Sequence, residues 1–238
     1  MRASSAATSH EARITTRTDA ARVVPVRAWL ILGAERIIEA APELTELDAR
    51  IGDGDHGINL GRGMTVVRDR LVAGAGRDEP ADELLRLAGR SLISSVGGAS
   101  GPLYGTLFLE TGDAMLGTEA TRPVGFAEAL VRGVSGVARR GRSRVGQKTM
   151  LDTLVPATDR LRDEVAGGHD LATAAARAAQ AAADGCASTR DMVAQRGRAS
   201  YLGERAIGHL DPGAVSSRIL IEALAEAAAQ DRPRRPHA

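Results

Sequence analysis

The chain has 238 residues, with 31 Lys and Arg against 30 Asp and Glu, so at a net charge of +1 no global field recruits nucleic acid or an anionic membrane surface. Apolar residues make up 43% and can build a substantial core, while the single cysteine, Cys186, excludes an internal disulfide and a cysteine-based zinc spacing, which fits a reducing cytoplasm. No apolar run approaches the roughly 20 residues of a membrane span, so a cytoplasmic protein is expected, and any metal should be hard and oxygen-bound.

Residues 1–22 lack periodic apolar positions and read as a flexible N-terminal extension; Glu11 and Asp19 count against a transit peptide. Beyond them the period is helical, with Val26, Leu30, Gly33 and Ile37 on one face. The stretch Leu47 to Met64, LDARIGDGDHGINLGRGM, then sets Asp48, Asp53 and Asp55 among five glycines. Three carboxylates so close repel one another, so the segment is either a solvated turn or a cation site. An EF-hand starting at Asp53 requires a carboxylate at its twelfth position, where the chain has Met64. Mg²⁺ needs only a few carboxylates and completes its shell with water and phosphate oxygens. His56 and Asn59 follow within a turn, as structural residues or in reach of a phosphate.

Leu85, Ala88, Leu92 and Val96 mark another helix face, followed by SSVGGASGPLYGT from Ser94 to Thr106. A turn at Gly97 and Gly98, with Pro102 in the next first turn, leaves the amides of Ala99, Ser100 and Gly101 free at a helix N-terminus. Such amides bind phosphate, although a plain glycine-rich connection has the same pattern. GRSRVGQKTM, Gly141 to Met150, misses the P-loop pattern because Gln147 separates Gly146 from Lys148 and the preceding segment is helical. DLATAAARAAQAAADG, Asp170 to Gly185, predicts a helix with an Asp start and a Gly stop. Arg198, Arg205 and His209 lie on a glycine-rich run, as surface groups or as phosphate partners. Asp211 is a good N-cap before Pro212, and Val215, Ile219, Ala223 and Ala227 share a face of the last helix. Residues 231–238 read as a flexible tail. Punctuation by Gly and Pro gives roughly seven to nine helices and almost no strand alternation, hence an all-α single domain over 23–230. Its mostly small side chains are compatible with a cavity.

Four ordered motifs, IGDGDHGINLGRGM, SSVGGASGPLYGTLFL, GQKTMLDTLVPA and GRASYLGERAIGHLDPGA, together resemble the nucleotide-binding L subunit of dihydroxyacetone kinase, DhaL, from about Trp29 to Ala228. The resemblance implies a barrel of eight antiparallel helices with ADP or ATP at one end and two Mg²⁺ ions bridging its phosphates. By motif, it makes Asp48, Asp53 and Asp55 the magnesium ligands. It lines the nucleotide with His56, Gly57, Ile58 and Asn59, brings Ala99 and Ser100 to phosphate, and borders the base with Gly141 and Met150. Arg198 and the turn Asp211, Pro212, Gly213 complete a lid. Gln147 departs from a frequent Asp of the family, and Gly54 from a common Ala. The implied activity is phosphoryl transfer to dihydroxyacetone or a related ketose held by a separate K subunit, whose histidine binds the acceptor. The phosphate source stays open between ATP exchange and a phosphocarrier M subunit, as does a homodimer. Two other readings are a nucleotide-sensing module that contacts a transcription regulator and a kinase subunit for another polyol.

Overall fold

Helical spacing becomes nine α-helices in the computed structural model, which describes residues 23–74, 79–115 and 122–231. They are α1 Val26–Glu39, α2 Ala41–Ile51, α3 His56–Val72, α4 Ala81–Ser95, α5 Ser100–Ala114, α6 Pro123–Gly141, α7 Leu151–Ala166, α8 Leu171–Ser188 and α9 Pro212–Gln230. Two 3₁₀ segments, Thr189–Asp191 and Arg198–Ala206, fill the connection between α8 and α9. No strand occurs among the described residues. The expected extension over 1–22 and nearly all of the tail after Gln230 lie outside them.

The helices close a ring. α1 packs on α3, each helix from α3 to α9 packs on the next, and α9 returns to α1, while the short α2 packs chiefly on α3. The faces read from spacing all point inward: Val26, Leu30, Gly33 and Ile37, then Leu85, Ala88, Leu92 and Val96, then Val215, Ile219, Ala223 and Ala227 are buried. Three aromatics fill the junction of α1, α5 and α6. Trp29 meets Phe108 and Phe126 edge-on, at centroid distances of 5.8 and 5.6 Å, and its indole N–H donates to the Leu220 carbonyl at 2.8 Å.

Helix α8 begins as expected, with the Asp170 side chain accepting from the Thr173 amide at 2.7 Å. It does not stop at Gly185 but runs on to Ser188. The glycine serves packing instead: a Cβ there would lie 2.2 Å from the Asp152 carbonyl oxygen of α7. Because the chain reverses between neighbours, the N-termini of α3, α5, α7 and α9 gather at one end of the ring, and the C-terminus of α6 joins them.

Candidate functional site

At that end lies a cavity of about 600 Å³. Its wall takes Asp55 and His56 from the start of α3, Ser100 from α5, Met150 from just before α7, and Pro212 and Gly213 from α9. Each helix start presents the positive end of a dipole, and α5 begins with no side-chain cap on its first amides, so four starts converging favour a multiply charged anion. At the start of α5, Gly98 adopts φ +65°, which turns the chain so that Gly98, Ala99 and Ser100 all face the cavity.

The acidic cluster sits beside these helix starts. Asp48, in the last turn of α2, is buried and accepts from the backbone amides of Asp55 at 2.9 Å and His56 at 3.1 Å, so it caps α3 from a neighbouring helix. Gly54 makes the reversal between them with φ +72°. One carboxylate oxygen each from Asp48, Asp53 and Asp55 lies within 4.8 Å of the others. Burial, then the charges of Asp53 and Asp48, raises the Asp55 carboxyl above its ordinary range. A cation answers from the lid: Arg198 Nε lies 2.7 Å from Asp53 Oδ2. Three carboxylates against one guanidinium leave the cluster negative and lined by oxygen alone, a donor set that fits a hard divalent ion such as Mg²⁺.

His56 pins three helix starts. Its Nδ1 lies 2.9 Å from the Ser100 hydroxyl of α5 and its Nε2 2.9 Å from the Ser216 hydroxyl of α9, which meets the Tyr104 hydroxyl at 2.6 Å. Burial lowers the imidazole to about 4, so the ring is neutral at physiological pH. Asp211 caps α9, accepting from the Ala214 amide at 2.7 Å as the sequence predicts. Part of the residue reaches the surface, but its carboxyl is enclosed, and burial pushes it up to about 7.

The opposite wall is the connection from α6 to α7. Asp152, in the first turn of α7, accepts from the amides of Gly146 and Thr149, which fixes the loop. The connection from Thr189 to His209, which includes both 3₁₀ segments, lies over the acidic side as a lid and brings Arg198 to Asp53. Ala194, Ala199 and Ala206 pack with Ile51 in a small cluster separate from the main core.

Of the residues expected from motif, Asp48, Asp53, Asp55, His56, Ala99 and Ser100 line the cavity, as do Gly141, Met150, Arg198, Asp211, Pro212 and Gly213. Gly57, Ile58 and Asn59 do not. A Cβ on Gly57 would lie 2.0 Å from the Ala41 carbonyl oxygen, so it serves the contact of α2 with α3, and Ile58 points outward at 60% exposure. Asn59 sits one turn on from Asp55, its backbone amide donating to the Asp55 carbonyl at 2.9 Å, and its side chain favours the charged form of that carboxyl. The wall also includes Tyr104, Arg140, Ser143, Lys148 and Arg196, which motif reading did not single out. Lys148 carried a usable signal, since no other lysine occurs in the chain.

Residues 50–226 match the DAK2 domain. The PEP-dependent dihydroxyacetone kinase 1, ADP-binding subunit DhaL, of Listeria innocua is 42% identical over 198 residues, covering 82% of this chain and 92% of its own. The Escherichia coli PEP-dependent dihydroxyacetone kinase ADP-binding subunit DhaL is 40% identical over 200 residues, covering 84% of this chain and 94% of its own. The crystal structure of the C. freundii dihydroxyacetone kinase in complex with AMP-PNP and Mg²⁺ superposes with a TM-score of 0.67 at 25% identity, over 84% of this chain and 33% of that one. This chain therefore spans about a third of that kinase. The match takes in Asp53, Asp55 and the four helix starts and covers well over half of the sequence, and on that extent the chain belongs to the DAK2 domain family.

Proposed function

We propose that this chain is the ADP-binding subunit of a dihydroxyacetone kinase, which carries the phosphoryl group to a ketose held on a separate subunit. One observation carries the reading: a negative, all-oxygen cluster stands against four helix N-termini across one cavity. Only a ligand that combines an anion with divalent cations satisfies both sides, and a magnesium nucleotide is such a ligand. The near full-length relatives carry the same description in their names.

Asp48, Asp53 and Asp55 would hold Mg²⁺, and the amides around Ala99 and Ser100 would receive phosphate oxygens. Bound Mg²⁺ supplies neutralisation of charge on the transferring oxygens. His56 contributes by position, since both ring nitrogens are engaged and the ring is neutral. A lid closed over a bound nucleotide would exclude water that otherwise takes the phosphoryl group. Because both of these relatives are named PEP-dependent, we read the ADP as resident and recharged by a phosphocarrier subunit rather than exchanged for ATP.

Native mass spectrometry tests the site. The purified chain should retain ADP with two magnesium ions. Asp53→Asn, which removes one charge and preserves shape, should lose most of both. Undiminished nucleotide on that variant would sink the metal assignment.

A further inference from the structure

Lys148 is the only lysine among 31 basic residues, and at 1% exposure it is buried, where an ammonium is costly to desolvate. It also sits at φ +58°, a backbone conformation that a side-chain-bearing residue rarely adopts. What it touches accounts for the burial. Its Nζ donates to the Thr189 carbonyl at 2.6 Å and to the His209 carbonyl at 2.6 Å. Those carbonyls belong to the two feet of the lid, at the end of α8 and just before α9. The feet are also tied to one another: the Asp211 amide donates to the Thr189 hydroxyl at 3.1 Å, and the Gly208 amide to the Arg190 carbonyl at 2.8 Å. Beyond this neck the lid carries Arg198 to Asp53, and its middle rests on Lys148's neighbour, with the Gln195 amide donating to the Gln147 carbonyl at 3.2 Å.

We propose that Lys148 is the positioning residue of the lid: one ammonium bridges both feet and so sets the reach at which Arg198 meets the acidic cluster and its ligand. A compact ammonium with three rotatable donors can serve two carbonyls at once in a buried neck, which the longer planar guanidinium used elsewhere in this chain does less well. The lid needs such a pin because its own apolar cluster is small, four buried residues with Leu202 packed against them. Although Lys148 forms part of the cavity wall, two of its three ammonium donors are engaged by the feet of the lid, and in this proposal it acts on the ligand through Arg198.

This inference rests on the nucleotide reading above, and a double-mutant cycle on the full chain separates the two. Dissociation of ADP in the presence of Mg²⁺ is timed for the native chain, Lys148→Met, Arg198→Ala and the double variant, with melting temperatures beside each. Each single variant should release ADP about tenfold faster, and the double variant no faster than Arg198→Ala to within about twofold. Single effects that multiply in the double variant would overturn the inference, because Lys148 would then act on the nucleotide directly or through global stability. A native chain that binds no ADP would instead remove the nucleotide reading itself. Should Lys148→Met not fold, the native chain suffices: pulse labelling with an amine-reactive reagent reports this sole lysine by mass spectrometry. A foot-bridging ammonium stays equally protected with and without ADP, to within about threefold, whereas labelling that rises more than about tenfold on stripping ADP overturns the inference.

Discussion

At the residue scale the site is governed by groups whose charge is set by enclosure. Asp211 has to accept the Ala214 amide at the start of α9 and also sits near Lys148, yet its enclosed carboxyl rises from an ordinary 3.8 to about 7. The folded chain therefore holds a proton that the unfolded chain has already lost between those values. Stability from this group is fully present below about 4 and is lost as pH rises through about 7. Asn caps a helix as well as Asp but does not titrate. Relative to the native chain, nucleotide-free Asp211→Asn should gain on the order of 2 kcal/mol between about pH 5 and pH 8. Thermal melts of both proteins across that range check it, and a difference independent of pH would show that enclosure does not control this carboxyl.

At the scale of elements, close helix contacts set the geometry of the loops. Gly185→Ala should favour α8 by about 1 kcal/mol on intrinsic propensity. The added Cβ, however, would meet the Asp152 carbonyl oxygen at 2.2 Å, backbone that cannot rotate away. Parting α7 from α8 should cost about 1–3 kcal/mol, so the variant should melt lower despite its better helix former. It should also loosen the loop before α7, since the Asp152 side chain holds the amides of Gly146 and Thr149. Calorimetry together with ADP affinity reads both effects, and a melting temperature equal to or above the native one would rule out the close contact. The same glycine marks how far sequence reading reaches. Faces such as Val26, Leu30, Gly33 and Ile37 depend on a local period, and the Asp211 cap and the free amides at Ala99 and Ser100 on adjacent residues, so all were legible. Gly185 reads as a stop by local rules, because its partner is a carbonyl on another helix. Lys148 was set aside with a failed P-loop, because the carbonyls that define it lie at Thr189 and His209, far along the chain.

The whole molecule places its candidate site at one end of the ring, and on the function proposed above the acceptor is held by another protein. The chain spans nearly all of the bacterial ADP-binding subunits but about a third of the C. freundii kinase. Its own histidines are poor candidates for holding a ketone covalently. His56 is engaged on both nitrogens, and His169 lies 3.0 Å from Glu164 at the turn after α7, the end of the ring away from the cavity. His209 sits at a foot of the lid, while His10 and His237 lie outside the described residues. With the acceptor on a separate subunit, as proposed, the isolated chain does not hold phosphoryl donor and hydroxyl in line, and that positioning supplies about 7–11 kcal/mol of the barrier in well-oriented reactions. The isolated chain with Mg²⁺, ATP and dihydroxyacetone should therefore form no triose phosphate above the uncatalysed background. Adding a cognate ketone-binding subunit, with ADP on this chain and a phosphocarrier to recharge it, should restore turnover; ATP alone should not, if the nucleotide is resident. Robust product from the chain by itself would place the acceptor site within these 238 residues and end the two-subunit reading.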